Sequence, residues 1–285
     1  LYVTIVSLSI FQTIVKIKKE IEVRNIDKDT IVTYKGIYEI NIYQEYIVSD
    51  LLYGSNQVLK RDVKKALLYI IDRHKEKDLE ENEVLEIIKN NGNENLSGLL
   101  CLDSIYLEDV NKNVIVKTLK DWYRFHRCFL AKHPINEENF YREIKQYFPQ
   151  IYFNPNVLKS LKSIDGGLED FAFTIVYNLA QLNDKFNLCT QSNLRETLHV
   201  FSGTCGVDAT LQGDARKRNK LTFDFIDEDL GIKESICCEP HLKLKRTNLP
   251  GDSTYYSNRI YFNQGMPHIM NGKILVAHIG KHLEL

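Results

Sequence analysis

Hydrophobic and polar positions change rhythm several times along the chain. From Leu1 to Tyr46, β-branched residues recur in short alternations, such as Ile31-Val32-Thr33-Tyr34 and Ile37 to Ile42. A period of two predicts several strands there. Leu1–Val15 is apolar but broken by Thr, Ser and Gln, too short for a membrane span and without a basic leader, and it reads as a strand. A Gly54-Ser55-Asn56 turn follows, and Asp62 is placed to cap a helix running to about His74. Glu80–Asn90 reads as a second short helix, stopped by Asn90-Asn91-Gly92. Asn113–Lys132 reads as a long amphipathic helix. Ile115, Leu119, Trp122, Phe125, Phe129 and Leu130 fall near one face, and Lys117, Lys120, Arg124 and Arg127 on another. His133-Pro134 breaks it before a further helix, Asn136–Tyr147.

A boundary is expected at Phe148-Pro149. Beyond it come a short strand at Gln150–Phe153, a helix at Asn156–Ile164, a turn at Asp165-Gly166-Gly167 and a helix at Leu168–Lys185 striped by Phe171, Ile175, Leu179 and Leu182. Ser202–Arg218 is full of turn residues and reads as loop. Strand rhythm then returns at Leu221–Phe225, Ser235–Lys245, Asn258–Phe262 and Gly272–Ile279, with turn signals at Pro250-Gly251-Asp252 and Gln264-Gly265. The expected architecture is α+β: an N-terminal mixed strand and helix region over 1–149, then a domain over 150–285 of two helices packed on an antiparallel sheet.

Composition narrows this picture only a little. A length of 285 residues suits two ordinary domains, and 44% hydrophobic with 26% charged residues is enough for a real core. With 37 basic and 38 acidic residues the net charge is −1, so any nucleic-acid affinity must come from a local patch. The chain opens on Leu, which fits a fragment or a non-standard start codon. Six Cys occur without a CxxC pair, and Cys237 and Cys238 are adjacent; reduced thiols in the cytoplasm are the expectation. No GxxxxGK[ST] or GxGxxG motif is present, which argues against a nucleotide-driven motor. No repeat or low-complexity stretch occurs.

The local patch lies on the last strands. If Leu242 and Leu244 face a core, alternation turns His241, Lys243 and Lys245 the other way. If Ile260 and Phe262 face it, Arg259 and Tyr261 join them. Half of the eight His (His241, His268, His278 and His282) lie from position 241 onward. The last strand threads in two ways: Ile274-Val276-His278 inward, or Leu275-Ala277-Ile279 inward. Only the second brings His278 to the others. Such a set is sufficient for RNA cleavage without a metal. His or Tyr can move the protons of the 2′-hydroxyl and the leaving 5′-oxygen, and Lys and Arg can hold the phosphate. The plain alternative is a solvated basic face of a half-buried sheet.

The order of elements resembles RelE/ParE-type toxins of the barnase/RelE-like ribonuclease group. Gln150-Ile-Tyr-Phe-Asn-Pro-Asn-Val-Leu-Lys-Ser-Leu-Lys-Ser-Ile is similar to their opening strand and first helix, and Leu168–Asn183 to their second. His241-Leu-Lys-Leu, Asn258-Arg-Ile-Tyr-Phe and Lys273-Ile-Leu-Val-Ala-His-Ile-Gly-Lys-His resemble their final strands. The resemblance implies a metal-independent endoribonuclease acting on RNA, such as ribosome-bound mRNA or tRNA, with no cofactor. By position, Lys243 and Arg259 would hold phosphate, and His278 or His282 with Tyr261 would transfer protons, beside His241. Asn187–Lys220 departs from the family as an insertion, and this chain is neutral and carries about 150 further N-terminal residues. The whole layout resembles phage-defence or mobile-element proteins in which a sensing region precedes a toxic effector. An antitoxin or a phage protein is then the expected protein partner, and no membrane is involved.

Rival chemistries remain open. A metal-dependent PD-(D/E)xK-like nuclease would use Glu239, His241 and Lys243 on one strand face with early acids from Asp224, Asp227, Glu228 and Asp229. Zinc ligands could come from Cys205, Cys237, Cys238, His241, His278 and His282, although no CxxC half-site accompanies them. Cys205 could be a thiol nucleophile. The Asp121-Trp-Tyr-Arg-Phe-His-Arg stretch could contact RNA, or be an ordinary packed helix with a charged outer face. A non-catalytic module binding nucleic acid or protein is the competing class.

Overall fold

The computed structural model describes residues 2–5, 16, 19, 33–34, 36–39, 41–43, 45–72, 76–77, 79–90, 98–102, 110–212, 220–245 and 257–283. The strand rhythm of 6–15 and 31–32, the helix end at His74, the Asn91-Gly92 stop and the Pro250-Gly251-Asp252 turn lie outside them. The chain forms two compact units, Leu1–His126 and Arg127–Leu285. They divide inside a helix, earlier than the Phe148-Pro149 break expected from the sequence.

In the first unit, β1 (Tyr2–Ile5), β6 (Leu99–Leu102) and β7 (Ile115–Val116) form a parallel three-stranded sheet in the order β1-β6-β7. Two further pairs are β2 (Thr33–Tyr34) with β5 (Glu76–Lys77), parallel, and β3 (Asn41–Tyr43) with β4 (Tyr46–Ile47), antiparallel. The helices are α1 (Val48–Tyr53), α2 (Arg61–Asp72) and α3 (Glu81–Lys89). Asp62 lies within the first turn of α2 and does not cap it. Glu80 caps α3 in a reciprocal capping box with Glu83, which satisfies backbone N–H groups that a helix start leaves open.

The helix expected from Asn113 begins later. Residues 112–114 form a 3-10 turn and Ile115 lies on β7, so α4 runs over Leu119–Lys132. The start is marked by Thr118 and Asp121. The Asp121 carboxylate accepts from the Thr118 backbone N–H at 3.0 Å, and the Thr118 hydroxyl accepts from the Asp121 N–H at 3.1 Å. Trp122 is fully buried and Phe125 nearly so.

The second unit begins with the end of α4 and with α5 (Glu137–Tyr147), capped by the Asn136 side chain. Arg127 is buried on α4, donating to the Tyr147 carbonyl and to Asp184, both at 2.8 Å. Then follow β8 (Ile151–Phe153), α6 (Asn156–Leu161) and α7 (Leu168–Lys185). Gly167 precedes α7 at φ 85°, a conformation that costs little only for glycine. A 3-10 turn at Phe186–Cys189 leads to α8 (Leu194–Cys205), and then to β9 (Ala209–Thr210). This corrects the loop expected from Ser202. Leu198, Phe201 and Cys205 bury one stripe of α8, and Gly206 ends it in the left-handed conformation.

The remaining strands are β10 (Thr222–Asp227), β11 (Ile232–Cys237), β12 (His241–Lys243), β13 (Asn258–Asn263) and β14 (Ile274–Lys281). The expected strand Ser235–Lys245 is two strands. Proline has no N–H for a ladder, and Pro240 separates them, its carbonyl accepting from the Phe262 N–H. The unit is α+β around a mixed five-stranded sheet ordered β8-β14-β13-β12-β9. β8 runs parallel to β14, and the other pairings are antiparallel.

Both faces of this sheet are covered. On one, Phe262 packs edge to face against Phe186, with Leu242, Ile260, Val276 and Ile279 also fully buried. On the other, Tyr261, Leu275 and Ala277 form a cluster with Phe225 and Ile236 of the β10–β11 hairpin and with Leu221, Cys238, Ile269 and Met270. The edge of β14 beyond β8 is closed by α6. Ser160 Oγ accepts from the Ile279 N–H and Ser163 Oγ from the Lys281 N–H.

Candidate functional site

The register of three strands decides which side chains meet. β12 pairs with β13 as His241 opposite Tyr261 and Lys243 opposite Arg259. Directly paired residues in a ladder share a face, so alternation puts all four on one side. β14 pairs with β13 as Ile279 opposite Ile260, His278 opposite Tyr261 and Val276 opposite Phe262. Ala277 is the extra residue of a β-bulge. Neither regular threading is therefore correct. Val276 and Ile279 both reach the helix-covered face, while Ala277 and His278 both turn to the side of Tyr261.

The six expected site residues thus converge. Tyr261 lies at the centre, with ring centroids of His241, His278 and His282 at 5.2, 5.6 and 6.4 Å. Arg259 and Lys243 lie close enough to act on His241 electrostatically.

The expected solvent access of this face is not observed. Tyr261 has no exposed surface, and His241, Arg259 and His278 are buried. The β10–β11 hairpin and the Ile269–Met270 segment supply the apolar cover, and Leu283 packs beside them. Alternation along a strand cannot reveal a second layer of this kind. His282 and Lys245 are half-buried, and the Lys243 side chain keeps 35% of its surface in contact with solvent.

Burial sets the charge states. His241 is driven down to about 4, first by desolvation and then by the positive charges of Arg259, His282 and Lys243. His278 is lowered by the same desolvation, partly opposed by its hydrogen bonds to backbone carbonyls. Neutral rings donate once: His241 Nδ1 to the Glu239 carbonyl at 3.3 Å, and His278 Nε2 to the Lys281 carbonyl at 2.9 Å. The Tyr261 phenol is raised by burial, partly opposed by the backbone N–H of Leu283 and by the charge of Arg259. Arg259 donates to the Asn258 carbonyl at 2.9 Å. Lys243 forms an ion pair of 3.4 Å with Asp208, whose backbone carbonyl also accepts the Lys243 N–H. Asp208 was not singled out from sequence. It lies just past the glycine that ends α8, where no periodicity marks a side chain.

The rival donor sets are engaged elsewhere. The Asp224 carboxylate binds Ser235 and Lys233 on an exposed part of the hairpin. Asp227 accepts from the N–H groups of Leu230 and Met270. Cys238 lies in the apolar cluster, its thiol pushed far up by burial. The Cys205 thiol is raised by burial and stands beside Cys189. Among the described residues, no three His, Cys, Asp or Glu side chains converge as ligands for a metal ion. On α4, Arg124 binds Asp121 and the carbonyls of Lys112 and Ile115, so it serves the helix itself. Among the described residues, no helix is long and apolar enough to cross a membrane. No protein-family model matches the chain, and no curated protein or solved structure matches it.

Proposed function

We propose that the second unit is a metal-independent endoribonuclease whose substrate meets the rim formed by Lys243 and His282. The observation that carries this reading is the convergence of three imidazoles, a phenol, a guanidinium and an ammonium on one sheet face around Tyr261. The succession β8, α6, α7 and then antiparallel β12, β13 and β14 supports a RelE-like domain. In this reading Lys243 neutralises the charge that builds on the phosphorane, the buried Arg259 adds to the positive field behind it, and His282, the most accessible imidazole of the three, moves a proton. Tyr261, His241 and His278 are covered and act as positioning residues that fix the rim. Such an activity fits a toxin or an antiviral effector. The first unit would then bind the partner that controls it, an antitoxin or a phage protein.

The burial of Tyr261, His241 and His278 favours a second reading, a non-catalytic module that binds nucleic acid or protein through the same rim. One experiment separates the two. The full chain is incubated with RNA in EDTA and compared with Lys243→Ala and His282→Ala. Cleavage that persists in EDTA and falls at least 100-fold in the variants, in line with about 10²–10⁴-fold for a proton-transfer group, supports the nuclease. Cleavage abolished by EDTA points to a metal-dependent nuclease. RNA retention without cleavage, weakened by Lys243→Ala, points to the binding module.

A further inference from the structure

The most regular unexplained pairing of reactive side chains lies away from the rim. The 3-10 turn Phe186–Cys189 and α8 pack through Phe186 and Phe201, whose rings meet edge to face at 5.2 Å. One turn further along each element stands a cysteine: Cys189 three residues after Phe186, and Cys205 four residues after Phe201. A 3-10 turn repeats every three residues and an α-helix nearly every four, so the two thiols continue the contact made by the two rings. Both cysteines are buried and reduced, and Cys189 contacts the Cys205 thiol closely enough to help raise it. Each also closes its element. Leu188 and Thr190 flank Cys189 in solvent, and Thr204 and Gly206 flank Cys205 in solvent. The pair is therefore covered by terminal turns, which open more readily than helix interiors.

We infer that Cys189 and Cys205 are a redox pair that closes into an intramolecular disulfide and clamps α8 to the turn before it. The two thiols already stand side by side, so rotation about each Cα–Cβ bond aligns the sulfurs while the terminal turns let the backbone settle to the short Cβ separation the bond requires. The oxidant is a small-molecule disulfide such as oxidised glutathione. One cysteine thiolate attacks a glutathione sulfur and expels glutathione thiolate. The second cysteine thiolate attacks the protein sulfur of the mixed disulfide and expels the other glutathione. The two protons lost by the cysteines end on the two glutathiones, so two protein thiols are oxidised and one glutathione disulfide is reduced. Because burial raises the Cys205 thiol, little thiolate is present at neutral pH and closure is slow, favoured by alkaline pH. The clamp holds the segment that delivers Asp208 to Lys243, but it does not depend on the ribonuclease reading.

The full chain is incubated with oxidised glutathione at pH 8.5, its remaining thiols are blocked, and it is digested with trypsin. Arg195 lies between the two cysteines, so the cross-link joins two separate peptides, one containing Cys189 and the other Cys205. The expected result is that joined pair, two hydrogens lighter than its parts. Unfolding should move up by about 5–10 °C, because the bond closes a short loop. Cys189→Ser and Cys205→Ser remove both effects, whereas Cys128→Ser leaves them intact. A map in which both thiols remain blocked as free cysteines would overturn the inference. So would stable glutathione adducts without the joined peptides, or cross-links through Cys237 or Cys238.

Discussion

His278 stands opposite Tyr261 across β13 and β14, its ring edge-on at a centroid distance of 5.6 Å, because Ala277 is inserted as a bulge. Without the extra residue, Val276 on the helix-covered face would force His278 onto that face too. The bulge lets one strand serve two cores, with Val276 and Ile279 under the helices and Ala277 and His278 under the hairpin. His278 enters the candidate site through this irregularity.

The hydroxyl of Tyr261 is fully buried and faces the Leu283 backbone outside good hydrogen-bond geometry. A poorly satisfied buried hydroxyl contributes little net stability, so Tyr261→Phe is expected to shift unfolding in urea by no more than about 1 kcal/mol. Cleavage read on the same variant separates two roles. Activity held at the wild-type level agrees with a positioning ring. A large fall with stability intact would mean that the phenol itself reaches the substrate.

The depressed His241 gives a pH dependence of definite sign. Its folded value is about 4 against an ordinary value near 6.5, so between them the unfolded chain binds the extra proton. Stability from this group is present above about pH 6.5 and is lost as pH falls toward 4. The loss amounts to about 3 kcal/mol, and His278 contributes in the same direction. Arg259, Lys243 and His282 face His241, and Tyr261 is its aromatic neighbour, so none of these groups supplies an anion that would reverse the sign. Urea denaturation at pH 7.5 and pH 4.5 should show a smaller gap between the two conditions for His241→Gln than for the wild type.

Much of the second unit could be read in the sequence. The helix Leu168–Lys185 has the expected bounds, and the strands carrying His241, Arg259 and His278 occur where alternation placed them. That His241, Lys243, Arg259 and Tyr261 share a face also follows from alternation. What covers that face does not, because Phe225 and Ile236 of the hairpin show the same half-apolar rhythm as any edge pair. The helix Leu194–Cys205 was obscured by Ser202, Gly203 and Gly206, although Leu194, Leu198, Phe201 and Cys205 repeat at helical spacing. The bulge at Ala277 has no local signature, since either regular threading satisfies the apolar pattern of Ile274–Ile279.

Lys243 is the most accessible cation of the cluster and is partly neutralised by Asp208. Lys243→Ala is expected to weaken binding of single-stranded RNA and to reduce the slope of log affinity against log salt by about 0.7, the value for one phosphate contact. Asp208→Ala should act oppositely and tighten binding at low salt, because it removes the competing carboxylate. Its cost in stability should stay within about 1 kcal/mol, as for a half-exposed ion pair. Fluorescence anisotropy over a salt series measures both. An unchanged slope in Lys243→Ala would remove Lys243 from the RNA contact.

Gly280 is a test of how tightly α6 closes the edge of β14. A Cβ at this position would lie 2.3 Å from the Ser160 carbonyl oxygen and 2.5 Å from Ser163 Oγ, and both belong to the segment that accepts the Ile279 and Lys281 N–H groups. The carbonyl is backbone and cannot rotate away, so α6 must shift and loosen those two bonds. Gly280→Ala is expected to lower stability by about 2 kcal/mol or more, in the range of overpacked cores. Gly203 on α8 is the control, because a Cβ there meets nothing within 4 Å. Gly203→Ala should raise stability by about 0.5–1 kcal/mol through helix propensity. Thermal unfolding of the two variants should therefore move in opposite directions. Because Lys281 and His282 follow Gly280 directly, the same displacement should reach the rim, and RNA cleavage by Gly280→Ala should fall even where the protein remains folded.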